Sequence, residues 1–429
     1  MKKLLTIVMA LALAIVACVS CGNTPSSDNS GKTSDNGPQK QTVKAGLITL
    51  HDENSTYDKN FIDAFKAACE AKGIDYTIKS GVPEGNECYD AAAELADAGC
   101  NFIFADSFGH ESFLLRAAKE FPNVQFAHAT GTTAHTEKQA NFHNAFASIY
   151  EGRYVAGVAA GLKLKDMMEK DSSVKPVIGY VGAYTYAEVI SGYTSWYLGV
   201  KSIVPAVTMK VQFTGSWYDE TAERTAAETL INQGCVIISQ HADSLGAPNA
   251  CEIKGVPNIS YNGSTENACP NTFVISSRIN WAPYFEYCID AIANKTTIAY
   301  DWVGGFGDTR STGSVCYTEL GKKAPAAGTD DAIANVVAKL KSGELKVFDV
   351  RNFTVTVGEK LNVNATVDAE GHLTGYMADV NTDAAYTADT QVVKTENGVT
   401  YFAESEFRSA PYFDIQIDGI ELLNSAFSS

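Results

Sequence analysis

Apolar and polar positions along this chain follow two alternating rhythms. Short apolar runs, the length of a buried strand, are separated by longer stretches in which apolar residues recur every three or four positions, as on one face of a helix. Residues 43–50 form the first run. In the next segment Phe61, Phe65, Ala68 and Cys69 share one helical face, and Gly73 closes it as a terminal glycine would. Residues 74–78 predict a second strand, 86–98 an alanine-rich helix ended by Gly99, and 100–105 a third strand. A helix over 112–120, stopped by Pro122, precedes a fourth strand at 124–128. The order then repeats. Helices are predicted over 151–164, 187–202, 219–233, 245–254 and 281–293, and strands at 177–181, 207–213, 235–239, 258–261 and 272–276.

Strands separated by helices of this length indicate right-handed βαβ units and parallel sheets. Two such sheets in succession predict a two-lobed α/β fold with a cleft between the lobes. Ligands in open α/β sheets sit beyond the carboxyl ends of the strands. Those ends carry the unusual residues, at 51–57, 106–109, 182–186, 217–219 and 240–244. The C-terminal region differs. Residues 353–357, 361–367, 391–395 and 399–403 alternate or are β-branched, and Asn397-Gly398 is a hairpin signal. A small β-rich appendage is expected over 351–429, with lobe 1 over 42–134 plus part of 271–350, and lobe 2 over 135–270.

The first 41 residues read as an address and a tether. Lys2 and Lys3 precede an apolar run of 14 residues, 4–17, which is too short to span a bilayer and suits a secretory signal. Ala17-Cys18 resembles the lipobox of bacterial lipoproteins, so Cys18 is the expected lipidated residue and Cys21 the alternative. Residues 1–18 would then be the signal peptide. Residues 19–41 would be a flexible tether, since 22–41 contain no bulky apolar residue to offset the entropy of ordering. The expected location is the extracytoplasmic face of the cell membrane, held by a lipid anchor.

Composition narrows the function. The net charge of −17 excludes nucleic acid and anionic lipid surfaces as partners. The cysteines beyond the tether are widely spaced, and several, such as Cys69 and Cys100, sit among apolar neighbours as buried free thiols do. No serine has glycines at both −2 and +2, and neither a phosphate-binding loop nor an H-E-x-x-H pair occurs. Gly304-Gly-Phe-Gly307 does not complete a dinucleotide fingerprint, and the spacing of His128, His135, His143 and His241 suggests no metal site. A binding protein without cofactor or metal is expected rather than an enzyme.

Five stretches in order resemble the basic membrane protein family of lipoproteins: Tyr154-Val-Ala-Gly157-Val-Ala-Ala-Gly161, Ile178-Gly-Tyr-Val-Gly182, Ser216-Trp-Tyr-Asp219, Gln240-His-Ala-Asp-Ser244 and Asn280-Trp-Ala-Pro-Tyr284. The resemblance covers about residues 43–350. It implies a type I periplasmic-binding-protein-like fold that captures a purine nucleoside or purine base and delivers it to the permease of an ABC importer. Two features depart from the family pattern: residues 52–57 lack the aromatic that usually follows the acidic residue, and the segment from 351 on exceeds its length. A surface receptor or sensor with the same fold is the second class. A nucleoside-cleaving extracellular enzyme is the third, and riboflavin or a sugar are the other ligands.

A purine ring needs aromatic faces, with stacking worth about 1–3 kcal/mol per base, and amides or carboxylates along its edge. With the resemblance, Trp217 becomes the leading stacking platform, against a role in lobe packing. Asp219 is a ligand contact or the N-cap of its helix. Asp243 lies in a loop past a strand, where a carboxylate has little structural purpose, and is the favoured polar anchor. Thr56, Tyr57 and Asn60 follow the first strand, where the family loop touches ligand, against turn and cap chemistry. Ser107 and Phe108 occupy the equivalent place after the third strand. Glu188 reaches the cleft or favours its helix dipole, and Trp281 contacts ligand or packs in the core.

Overall fold

The computed structural model describes residues 41–307, 313–381 and 387–424. The expected signal, Cys18, Cys21 and all of the tether except Gln41 lie outside the described residues. The first lobe opens with β1 (Lys44–Ile48), α1 (Thr56–Lys72), β2 (Asp75–Lys79), α2 (Asn86–Asp97) and β3 (Phe102–Ala105). It continues through α3 (Glu111–Glu120), β4 (Gln125–Ala129), α4 (Ala134–Glu137) and β5 (Phe142–Ala147). The chain then crosses over through α5 (Ile149–Lys170) into β6 (Val177–Gly182), α6 (Ala187–Lys201), β7 (Thr208–Phe213) and α7 (Glu220–Asn232). β8 (Ile238–Gln240), α8 (Gly246–Lys254), β9 (Asn258–Tyr261) and β10 (Phe273–Ile279) complete this run. Next come α9 (Ala282–Asn294), β11 (Asp301–Gly304), β12 (Val315–Tyr317) and α10 (Thr329–Ser342).

The strands form two sheets. The first is all parallel, in the order β11-β5-β4-β3-β1-β2. The second runs β12-β10-β9-β8-β6-β7, with β12 antiparallel, and ends on a strand from the far C-terminus, Ile420–Leu422, parallel to β7. The two-lobed α/β expectation matches this architecture. Four strands of these sheets escaped the sequence reading: β5, β11, β12 and Ile420–Leu422. The first matters for the lobe boundary, because β5 extends the first sheet beyond residue 134, where that lobe was expected to end. β10, in turn, belongs to the second sheet, whereas α9 packs on α1 and β11 pairs with β5. The chain therefore crosses between lobes more often than the predicted division allowed.

Local chemistry explains the elements. Ser55 caps α1 by accepting from the Asp58 amide, and Gly73 ends the helix at φ 63°, in the left-handed region that glycine adopts without strain. The predicted strand at 235–239 is shorter, because Cys235 and Val236 only lead into β8. Gly157, in the first stretch that carried the resemblance, lies against α6. A Cβ there would come within 2.2 Å of the Trp196 carbonyl oxygen, so a side chain would force the two helices apart. Both faces of α5 are buried around this contact, as for a helix shared between the lobes.

The appendage is β-rich but differently laid out than predicted. Ala365–Val367, Leu373–Ala378 and Thr390–Gln391 form a small antiparallel sheet, and Val393–Glu396 pairs with Val399–Phe402. The Asn397-Gly398 turn has φ 51° and φ 80°, the left-handed pair that a two-residue hairpin needs. Residues 353–357 are not a strand; their backbone runs without a ladder partner.

Candidate functional site

The carboxyl ends of the two sheets face each other across a cleft of about 370 Å³. Lobe 1 supplies Leu50, His51, Tyr57 and Asp58 after β1, Ser107 and Phe108 after β3, and Thr130 after β4. Lobe 2 supplies Glu188, Trp217, His241, Asp243 and Tyr261. Six of the ten residues expected at a ligand therefore line the cleft: Tyr57, Ser107, Phe108, Glu188, Trp217 and Asp243.

The other four do not line it. Thr56 bridges the lobes, its amide and hydroxyl donating to the Asp243 carbonyl oxygen at 3.1 and 3.2 Å. Asn60 is buried, and its amide donates to the Ile279 carbonyl at 2.6 Å. Asp219 is the N-cap of α7, accepting from the Ala222 amide at 2.9 Å. Trp281 is 1% exposed and stacks on Phe61 with ring centres 4.4 Å apart. In all three of these last cases cap or core chemistry consumes the side chain.

Three carboxylates shape the loops of lobe 1: exposed Glu84, half-buried Glu111 and buried Asp58. Glu84 accepts the Ser107 hydroxyl at 2.5 Å and the Gly109 amide at 2.8 Å, which fixes the loop carrying Phe108. Glu111 accepts the amides of Thr132 and Thr133, each at 2.9 Å. Thr130, just before them, has φ 62°, a strained value for a β-branched residue. Asp58 accepts from the His51 amide at 2.8 Å and the Ser55 hydroxyl at 2.6 Å. Burial raises its pKa, but the hydrogen bonds from His51 and Ser55 outweigh burial and hold it below the ordinary value. The Tyr57 hydroxyl donates to the Asp106 carbonyl at 2.7 Å, placing its ring at the cleft.

Lobe 2 is wired differently. Arg153, on α5, is 1% exposed. It lies 3.4 Å over the Tyr261 ring and donates to the Gln240 carbonyl and to His241 Nδ1 at 3.2 Å. Arginine only donates, so His241 Nδ1 must accept and its Nε2–H points the other way. There it meets Glu188 Oε1 at 3.4 Å. Burial pushes the His241 pKa down against the pull of Glu188, so the ring is neutral at neutral pH. Trp217 is half-buried, edge-on to Tyr184 with ring centres 5.0 Å apart. Asp243 is 5% exposed, and among the described residues no protein donor reaches its carboxylate. Burial, then the charges of Asp58, Glu223 and Glu188, push its pKa well above the ordinary value. The Tyr261 hydroxyl is likewise buried without a partner among the described residues.

The arrangement offers aromatic faces from both lobes and a set of hydrogen-bonding groups that the protein leaves unused. His51, Asp58, Thr130, His241 and Tyr261 were not among the expected site residues. His51 and His241 lie in the flagged strand ends, but Tyr261 is the last residue of β9 and Thr130 follows β4. Among the described residues no group of three or more histidine, cysteine or acidic side chains converges on a metal position, and the eight cysteines are free.

Two mostly parallel sheets facing one polar and aromatic cleft make a periplasmic-binding-protein-like fold. Residues 47–307 match the family model described as ABC transporter substrate-binding protein PnrA-like, and the chain belongs to this Bmp family. It is 31% identical over 319 residues to a purine-binding protein of Brucella abortus, covering 72% of this chain and 84% of the relative. It is 29% identical to a putative ABC transporter glucose-binding protein of Haloferax volcanii, over 49% of this chain and 51% of that one. It is 26% identical to an ABC transporter nucleoside-binding protein of Lactococcus lactis, over 64% of this chain and 73% of that one. The protein is a substrate-binding protein of an ABC transporter, a class whose small-molecule ligand and permease partner meet outside the cytoplasm. No described helix is long and apolar enough to cross a membrane.

Proposed function

We propose that this protein captures a purine nucleoside or purine base between its lobes and hands it to the permease of an ABC importer, tethered to the membrane by lipid at Cys18. The observation that carries the ligand class is the pairing of Trp217 and Phe108 with the donor-free carboxylate of Asp243 in one cleft. Aromatic faces suit a planar heterocycle, and a carboxylate without protein donors suits ribose hydroxyls or a ring N–H. The purine-binding relative is matched over most of its length, the glucose-binding one over about half, which favours a purine over a hexose.

Titration calorimetry with adenosine, guanosine, adenine, guanine and glucose tests the ligand. Binding of a purine and none of glucose supports the reading; glucose alone overturns it. The anchor has its own test. Bacterial lipoproteins carry several acyl chains on one cysteine, and stable anchoring takes more than one chain. Cys18→Ala should release the protein into the soluble fraction or leave an uncleaved precursor. If Cys21→Ala does so instead, the anchor is at Cys21.

A further inference from the structure

The cleft continues past the lobes. Phe108, Thr130 and Glu188 face both the cleft and a second, larger chamber of about 1010 Å³. Its outer wall belongs to the C-terminal appendage, through Asp379, Arg408, Tyr412 and Asp414. The family match ends at residue 307, so this wall comes from chain that the family model does not cover. The wall is fixed to both lobes. Ile420–Leu422 joins the second sheet beside β7, and the Tyr193 hydroxyl donates to Gln416 at 3.1 Å. On the other side, the Ser409 amide donates to Asp301, on β11 of the first sheet, at 2.9 Å.

The chamber has a definite chemistry. Glu188, Asp379 and Asp414 set three carboxylates against the guanidinium of Arg408. That guanidinium is 8% exposed and donates to three main-chain carbonyls, those of Ala410, Val380 and Pro411, at 3.1 to 3.2 Å. The balance is acidic, so a phosphate is repelled and an ammonium attracted. The rings of Phe108, Tyr186 and Tyr412 add faces on which a cation is favoured.

We infer that the chamber is a second subsite, which takes a cationic amine carried by a nucleoside seated between the lobes. This inference rests on the purine reading and adds to it a substituent that the lobes alone do not accommodate. Calorimetry on the full chain would compare adenosine and guanosine with the 5′-amino-5′-deoxy, base-linked aminoethyl and 5′-monophosphate derivatives of the tighter binder. An amine derivative should bind about 10- to 100-fold more tightly than its parent, the gain from one charge-assisted contact, and the monophosphate more weakly. Ala388→Trp and Asn364→Trp, which fill the chamber from the appendage, should bring the ratio of amine to parent affinity near one, with melting curves confirming the fold. Equal or weaker binding of both amines overturns the subsite while the purine reading stands. So does an amine advantage that survives both substitutions. If no purine binds at all, the purine reading fails and the subsite with it.

Discussion

Each face of the cleft carries a buried carboxylate, and the two are treated in opposite ways. Asp58, on lobe 1, is enclosed by donors from its own loop, the His51 amide and ring and the Ser55 hydroxyl. Its charge is satisfied before any ligand arrives, and its pKa falls although burial alone would raise it. Asp243, on lobe 2, is as deeply enclosed but receives no protein donor among the described residues, and its pKa rises well above the ordinary value. A buried charge without partners costs stability, and such groups persist where function needs them. The contrast separates a carboxylate that builds the site from one left without protein donors, for which we propose a ligand as partner.

Removing each carboxylate should therefore fail in a different way. Asp58→Ala strands the donors around it and should cost about 1–3 kcal/mol of stability for each buried donor left unpaired. Urea unfolding reads this directly. Unchanged stability with lost binding would instead make Asp58 the ligand carboxylate. Asp243→Asn keeps the shape but removes the charge. It should weaken nucleoside binding by about 1.5–3 kcal/mol for each charge-assisted bond lost, and raise the melting temperature of the unliganded protein. If ribose is its partner, free bases should bind the variant nearly as well as the wild type. A fall in melting temperature would show that Asp243 supports the fold. Trp217→Ala should lose about 1–3 kcal/mol of affinity, the worth of one stacked ring, with little change in the unliganded melting curve.

The pH dependences should also oppose each other. The folded pKa of Asp58 is depressed below 3.8, so its contribution to stability is present above that value and is lost as pH falls through the folded pKa. The folded pKa of Asp243 is raised, so above pH 3.8 the folded state holds a proton that the unfolded chain releases. Its contribution to stability declines as pH rises, until the folded pKa is passed. A ligand that donates to Asp243 needs it ionised. Nucleoside affinity should rise with pH above 3.8 in the wild type, as Asp243 ionises, and flatten in Asp243→Asn. Calorimetry across that range checks the slope, and equal slopes in both proteins would assign the titration to another group.

Periodicity made the alternating strands and helices legible, because each element buries one face with its own spacing. β5 was hidden because His143 and Asn144 interrupt its apolar run. Both are buried, and the His143 ring reaches the Ala299 carbonyl and Gln125 while Asn144 accepts from the Ala134 amide. The strand is held by hydrogen bonds that no hydropathy pattern records. The final strand, Ile420–Leu422, pairs with β7 some 200 residues earlier, beyond the reach of any local signal. In the site, position after a strand identified Trp217 and Asp243 but equally suggested Asp219, whose helix consumes it as a cap. Arg153 was invisible as a site residue, since it sits within α5, in its second turn, and acts through His241.

The central claim is that lobe 2 holds an unfilled carboxylate for a purine nucleoside. Calorimetric titration of wild type and Asp243→Asn at pH 7.5 with the tighter of adenosine and guanosine, and with its free base, tests it most directly. The expected result is nucleoside binding by the wild type that falls about 10-fold or more in the variant, while the free base loses little. Equal losses for nucleoside and base would place the ring against Asp243 instead of the ribose. Binding of neither by the wild type would contradict the account.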